Sequence, residues 1–156
     1  MCCEDIINFL DNKQIVFKFQ SDQIQLECLQ KLVEKCFIIG LKRTNIIEQI
    51  ASFYICDMTK IWHNTFTMSD LTKQKNIEID TNKIEDSVRY MINNFNLFNE
   101  CKKYCDICLN YEDIIKNFSQ SKYKQSTKPI NYQQLLKAIN ETFLQIKHNE
   151  LEHNQS

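Results

Sequence analysis

The chain has 156 residues and a formal net charge of −1, with 43% hydrophobic and 25% charged residues, as in an ordinary folded protein. It contains one glycine and one proline. This argues against glycine-dependent hairpins, sandwiches and phosphate-binding loops, because all of them need backbone angles that glycine supplies. We therefore predict an all-α protein, a small helical domain of about six helices.

The sequence also predicts the cellular compartment of the chain. No stretch approaches the roughly 20 apolar residues of a membrane span, and the first residues, MCCED, do not resemble a signal peptide. We expect no membrane partner. Eight cysteines without a secretion signal predict free thiols in a reducing compartment.

In residues 14–20 (QIVFKFQ), Ile15, Phe17 and Phe19 recur at every second position, which favours an extended segment. Ser21 is a candidate cap for a helix over 22–38, and Gly40 suits a left-handed residue after that helix. The apolar face of this helix would contain Ile24, Cys28, Leu32, Val33, Cys36 and Phe37.

Apolar residues at helical spacing continue from Ile46 to about residue 68, after a candidate cap at Thr44. Asp57 interrupts the apolar face and is itself a candidate cap. One continuous helix over 44–68 and two helices separated by a turn at Tyr54–Asp57 both satisfy the pattern.

The second half of the chain is predicted to form a helical region over 80–147 that packs against 21–70. Residues 76–80 favour a short extended piece, and Thr81 is a candidate cap for a helix over 82–95. A long helix is predicted over 98–120, then a polar loop over 119–127, then a last helix with Pro129 in its first turn. The expected inward residues are Ile84, Val88, Met91, Ile92, Phe95, Leu135, Leu136, Ile139, Phe143 and Ile146.

Cys101, Cys105 and Cys108 would share one face of the predicted long helix, where cysteine behaves as a small hydrophobic residue. Core packing is the first interpretation, and thiolate ligands for zinc or a cluster are the alternative. Zinc needs a fourth ligand, and the three histidines are scattered. We predict no metal, no cofactor and no catalytic residues.

Three short segments resemble the homeodomain family. VEKCF at 33–37, IA at 50–51 and KIWHN at 60–64 are similar to motifs of its first, second and third helices. The resemblance covers about 21–70 and implies a helix-turn-helix with Phe37 and Trp62 in its core. It also implies that Lys60, His63 and Asn64 face DNA. The exposed lysines that could add phosphate contacts are Lys122, Lys124 and Lys128.

A second resemblance is to the histone-fold TBP-associated factors of TFIID and related coactivators. Residues 37–62, followed by 73–92, look like the central helix, loop and third helix of that family. This resemblance implies that 44–68 forms one continuous helix buried against a histone-fold partner.

Both resemblances imply a non-catalytic nuclear protein. The homeodomain motifs are similar to those of accessory subunits in ciliate DNA N6-adenine methyltransferase complexes. That resemblance implies partners among the complex subunits, the methyltransferase included, and double-stranded DNA. The alternatives are the histone-fold subunit and a helical scaffold without nucleic-acid contact.

Overall fold

The computed structural model describes residues 20–60, 77–118 and 128–153. This part of the chain is mostly helical. Its five α-helices are α1 (Leu26–Leu32), α2 (Ile46–Thr59), α3 (Thr81–Cys101), α4 (Tyr111–Phe118) and α5 (Tyr132–His153). Two 3-10 helices cover Ser21–Gln23 and Lys102–Tyr104. The strands β1 (Ile39–Lys42) and β2 (Ile107–Asn110) form a small parallel sheet that the all-α prediction missed.

The core lies between α2, α3 and α5, whose apolar faces form one cluster. The helical spacing of apolar residues predicted the inward faces of α3 and α5 correctly. Phe95 is the exception, since it is 43% exposed, and Leu136 and Phe143 are only partly buried. The predicted residues confirmed as buried are Ile84, Val88, Met91, Ile92, Leu135, Ile139 and Ile146.

The caps of α2 and α3 each differ from the predicted ones by one residue, and α1 begins at Leu26, four residues after its predicted start. Asn45, not Thr44, caps α2, because its side chain accepts the N–H of Glu48. Asp80, not Thr81, caps α3 by accepting the N–H groups of Asn82 and Lys83. Pro129 lies in a turn before α5 rather than in its first turn.

The predicted helix over 22–38 is wrong in its length. Only Leu26–Leu32 is α-helical, because the chain after it turns toward the sheet. Phe37 was expected in the core, but it is 67% exposed. Gly40 lies within β1 without a positive φ, so it does not end a helix.

The predicted long helix over 98–120 is also wrong. α3 ends at Cys101, the 3-10 turn follows, and residues 107–110 form the strand that pairs with β1. The pairing gives this apolar segment backbone partners that helical periodicity does not reveal.

Neither interpretation of residues 44–68 is confirmed. α2 runs without a break through Tyr54–Asp57, which removes the predicted turn. It ends at Thr59, where Lys60 has the left-handed φ of 57°, so the helix does not continue to 68 either. Trp62, His63 and Asn64 lie outside the described residues, as do the segments 4–10, 14–19 and 119–127.

Candidate protein-interaction site

The two-stranded sheet carries an exposed apolar face. Its parallel register places Ile39 opposite Ile107 and Leu41 opposite Leu109. These four side chains project to one side because alternate residues of a strand share a face. They are 57%, 45%, 46% and 37% exposed, respectively. We call these four residues the apolar sheet face.

The opposite side of the sheet is closely packed at Gly40. Gly40, which pairs with Cys108, is buried. A Cβ added to Gly40 would lie 2.9 Å from Cys105 Sγ, 3.1 Å from Cys108 Sγ and 3.4 Å from Phe98 Cζ. The two sulfurs and the end of α3 therefore pack closely under the sheet, and glycine is required for that approach.

The apolar sheet face is continued at both ends. Phe37 precedes Ile39 by two residues and is 67% exposed. At the other end the Arg43 guanidinium lies 4.5 Å from the centre of the Tyr111 ring. The face is thus bounded by an exposed aromatic residue and by a cation–π pair.

Two carboxylates anchor the strands. Asp106 Oδ2 accepts the Ile38 N–H at 2.6 Å, and the Asp106 N–H in turn donates to the Ile38 carbonyl. Glu112 accepts the N–H groups of Thr44 and Asn45, at the start of α2. Burial pushes the pKa of Glu112 up, but these hydrogen bonds outweigh it and lower that pKa below its usual value. Both strands are therefore tied down at their ends.

A groove of about 230 Å³ adjoins the start of α2. Its floor is apolar, with Ile92, Phe95 and Phe143, and its rim carries Arg43 and Lys147. Both cations already have neighbours, since Arg43 stacks on Tyr111 and Lys147 pairs with Glu150 at 2.9 Å. The groove extends the exposed apolar surface beyond the sheet and offers no unengaged charge to a ligand.

Of the residues predicted to face DNA, the structure describes Lys60 and Lys128. Lys60 is 74% exposed and pairs with Asp57 at 2.8 Å. Lys128 is 59% exposed, lies 3.8 Å from Glu48 and sits over the Tyr132 ring. His63, Asn64, Lys122 and Lys124 lie outside the described residues, so whether these groups form one surface stays a prediction.

The three clustered cysteines do not share a helix face. Cys101 ends α3 and is buried, Cys105 follows the 3-10 turn and is half-buried, and Cys108 lies in β2 and is exposed. Burial, and after it the neighbouring Cys108, raises the pKa of Cys105 to about 11. Among the described residues, no group of three or more potential ligands is arranged to hold a metal ion.

No family model matches the chain, and neither the curated proteins nor the solved structures contain a match. Within the described part of the chain, none of the helices has the length and apolarity needed to cross a membrane.

Sequence reasoning missed the four residues of the apolar sheet face. Two signals for them were present. Phe37, Ile39 and Leu41 place apolar side chains at every second position around Gly40, and the apolar run at 107–109 is short enough for a strand. Both runs were assigned to helices or helix ends because longer helical patterns flank them.

Proposed function

We propose that this chain is a non-catalytic nuclear accessory subunit, and that its apolar sheet face binds an amphipathic helix of a partner protein. The observation that carries this proposal is the parallel sheet, whose four apolar side chains on one face are 37–57% exposed. Parallel sheets are normally buried on both faces, because helices pack against each of them. Here Phe98 of α3 and Cys105 Sγ pack under the sheet at Gly40, and no described element covers the apolar sheet face.

The dimensions of the face suit one helix. Two strands are spaced about 4.8 Å apart, and four residues of strand extend about 13 Å. A helix is about 10 Å across and needs about nine residues to cover that length. One apolar stripe with residues at i, i+3, i+4 and i+7 would therefore contact all four side chains.

Burial of the face favours such a complex. Covering the exposed half of an Ile or Leu side chain contributes about 1 kcal/mol, so the four residues together contribute a few kcal/mol. Phe37 and the groove beside Arg43 extend the surface at both ends. The absence of an acidic or basic side chain among the four favours a protein helix over nucleic acid as the occupant.

The homeodomain resemblance identifies the partner class that we propose, the catalytic subunit of a DNA adenine methyltransferase complex. In this proposal the catalytic subunit supplies the chemistry, and this chain contributes partner binding and DNA contacts. The DNA contacts would come from Lys60, His63, Asn64, Lys122, Lys124 and Lys128. Two of these, Lys60 and Lys128, are exposed on the described surface.

The partner proposal is tested with Ile39→Glu and Leu109→Glu, combined in one tagged chain. Each charge lies on the exposed side of the sheet, so circular dichroism should show an intact fold. We expect at least tenfold less methyltransferase subunit in pull-downs from native nuclear extract, since two buried charges would oppose binding. A photo-crosslinker at Ile39 should join this chain to one helix of that subunit.

Leu151→Glu is the matched control, because Leu151 is 63% exposed and lies far along α5. Equal loss of partner in this control, or unchanged binding in the sheet variant, would reject the sheet face as the interface. If the unmodified chain instead recovers TBP-associated factors and the sheet variant does not, the methyltransferase assignment is rejected in favour of a coactivator subunit.

The DNA part of the proposal is tested separately by binding of duplex DNA at several salt concentrations. Changing Lys122, Lys124 and Lys128 to Glu should weaken binding and lower the salt dependence, because each phosphate contact releases counterions. An equal change of charge at Lys31, Lys83 and Lys137 is the control. If the two triple variants bind DNA as tightly as the unmodified chain, the phosphate contacts of Lys122, Lys124 and Lys128 are rejected; if the unmodified chain binds no duplex, the whole DNA role is wrong.

A further inference from the structure

Cys105 and Cys108 form a C-x-x-C pair under the sheet. Their sulfurs lie 2.9 and 3.1 Å from the same point, the position of a Cβ added to Gly40. Each thiol donates a weak hydrogen bond to a backbone carbonyl, Cys105 Sγ to Cys101 at 3.8 Å and Cys108 Sγ to Lys102 at 3.9 Å. The two sulfurs therefore face the same point, and rotation about their Cα–Cβ bonds can bring them to the disulfide length of about 2.05 Å.

We infer that Cys105 and Cys108 are a reversible redox pair, which a small-molecule disulfide such as oxidised glutathione converts to an intramolecular disulfide. This inference does not depend on the proposed function, because it rests on the side of the sheet that carries Gly40 and Cys108 and not on the apolar sheet face.

The surroundings of the two thiols assign different roles to them. Cys108 is exposed and accessible to a small disulfide, whereas Cys105 is half-buried. Burial and the neighbouring Cys108 hold the pKa of Cys105 high, at about 11, so its thiolate is scarce at neutral pH. Cys108 is therefore the attacking thiol and Cys105 the resolving one.

The reaction balances in two exchange steps. The Cys108 thiolate attacks one sulfur of oxidised glutathione, forms a mixed disulfide and releases one glutathione thiolate. Cys105 then loses its proton, and its thiolate attacks the Cys108 sulfur and releases the second glutathione. Two cysteine thiols are oxidised, and one glutathione disulfide is reduced to two glutathione molecules.

The Cys105–Cys108 disulfide would restrain the start of β2. Cys105 follows the 3-10 turn and Cys108 belongs to β2, so the disulfide closes a ring that contains Asp106 and Ile107. Asp106 bonds to Ile38 of the neighbouring strand segment, and Ile107 belongs to the apolar sheet face. Oxidation therefore restrains one part of that face without requiring a change in the helical core.

The test uses the full chain in glutathione buffers of graded ratio, with alkylation of free thiols and mass spectrometry of intact protein and peptides. We expect the unmodified chain to lose two free thiols together and to yield a Cys105–Cys108 peptide. Cys105→Ser should accumulate one glutathione on Cys108, because the resolving thiol is gone. Cys108→Ser should react at least about tenfold more slowly, since the accessible thiol is missing.

Cys56→Ser is the control, because Cys56 is half-buried on α2 and outside this pair; its oxidation should match that of the unmodified chain. Three results would overturn the inference. These are a stable glutathione adduct on the unmodified chain, a disulfide to Cys101 instead, and thiols that react only after denaturation. Circular dichroism of each variant identifies any loss of fold.

Discussion

The buried hydroxyl of Tyr54 lies 2.9 Å from the backbone nitrogen of Asp80 and accepts its N–H. The same hydroxyl donates to the Glu78 carbonyl at 2.7 Å. One side chain of α2 thus satisfies two backbone groups of the segment that leads into α3. This contact positions the start of α3 against the core, because Tyr54 itself is fully buried.

Tyr54→Phe should destabilise the chain by about 1–3 kcal/mol, since it leaves the two backbone groups without their partner while preserving the ring. Denaturant unfolding followed by circular dichroism measures the change. Tyr132→Phe is the matched control, because Tyr132 is also buried but makes its cation–π contact with Lys128 through the ring. A change of stability as large at Tyr132 would contradict the role given to the Tyr54 hydroxyl.

Asp80→Ala should lower the free energy of unfolding by about 1 kcal/mol, because α3 loses the side chain that accepts from Asn82 and Lys83. The Asp80 N–H remains available to Tyr54, so the two effects are separable. Asp86→Ala, on the exposed surface of the same helix, should change stability by less than about 0.5 kcal/mol. Equal effects at both positions would show that charge, not capping, is responsible.

Gly40→Ala should destabilise the chain by about 1–3 kcal/mol, because its methyl group would crowd Cys105 Sγ at 2.9 Å. The cost should be smaller in a Cys105→Ala background, where that sulfur is absent. A double-mutant cycle of unfolding free energies measures this coupling. A purely additive cycle would mean that the crowding arises from Cys108 Sγ at 3.1 Å or Phe98 Cζ at 3.4 Å instead.

Glu112→Gln should change how stability depends on pH. The pKa of Glu112 is lowered in the folded chain, so its contribution is complete above the usual carboxyl pKa and disappears as pH falls through the folded value. At neutral pH and low salt the variant should be less stable by a few tenths to about 1 kcal/mol, a typical effect for a carboxylate near a helix start. The difference between the two proteins should shrink toward pH 3.

Thermal unfolding at several pH values checks this expectation, with Asp113→Asn, on the next residue of α4, as the control. A difference that grows on acidification would reverse the sign of the linkage. It would then exclude stabilisation of the charged carboxylate by Thr44 and Asn45.

The faces of the long helices were predictable from the sequence. Ile84, Val88 and Ile92 on α3, and Leu135 and Ile139 on α5, repeat at helical spacing, and all are buried. Local periodicity is sufficient there, because the buried stripe of a long helix is set by positions three and four residues apart. The caps of α2 and α3 are Asn45 and Asp80, each one residue from the predicted threonine, since several polar residues stand near each helix start. The predicted cap Ser21 is wrong, because α1 follows Gln25 without a side-chain cap.

The amino-acid sequence by itself determined a mostly helical chain and the inward faces of its long helices. Only the tertiary structure decided that Ile39–Lys42 and Ile107–Asn110 are strands. Each run is four residues long, and its backbone partner lies far away in sequence, so local propensity does not identify it. The apolar sheet face and the Cys105–Cys108 pair both arise from that pairing, because the register brings Gly40 over the two sulfurs.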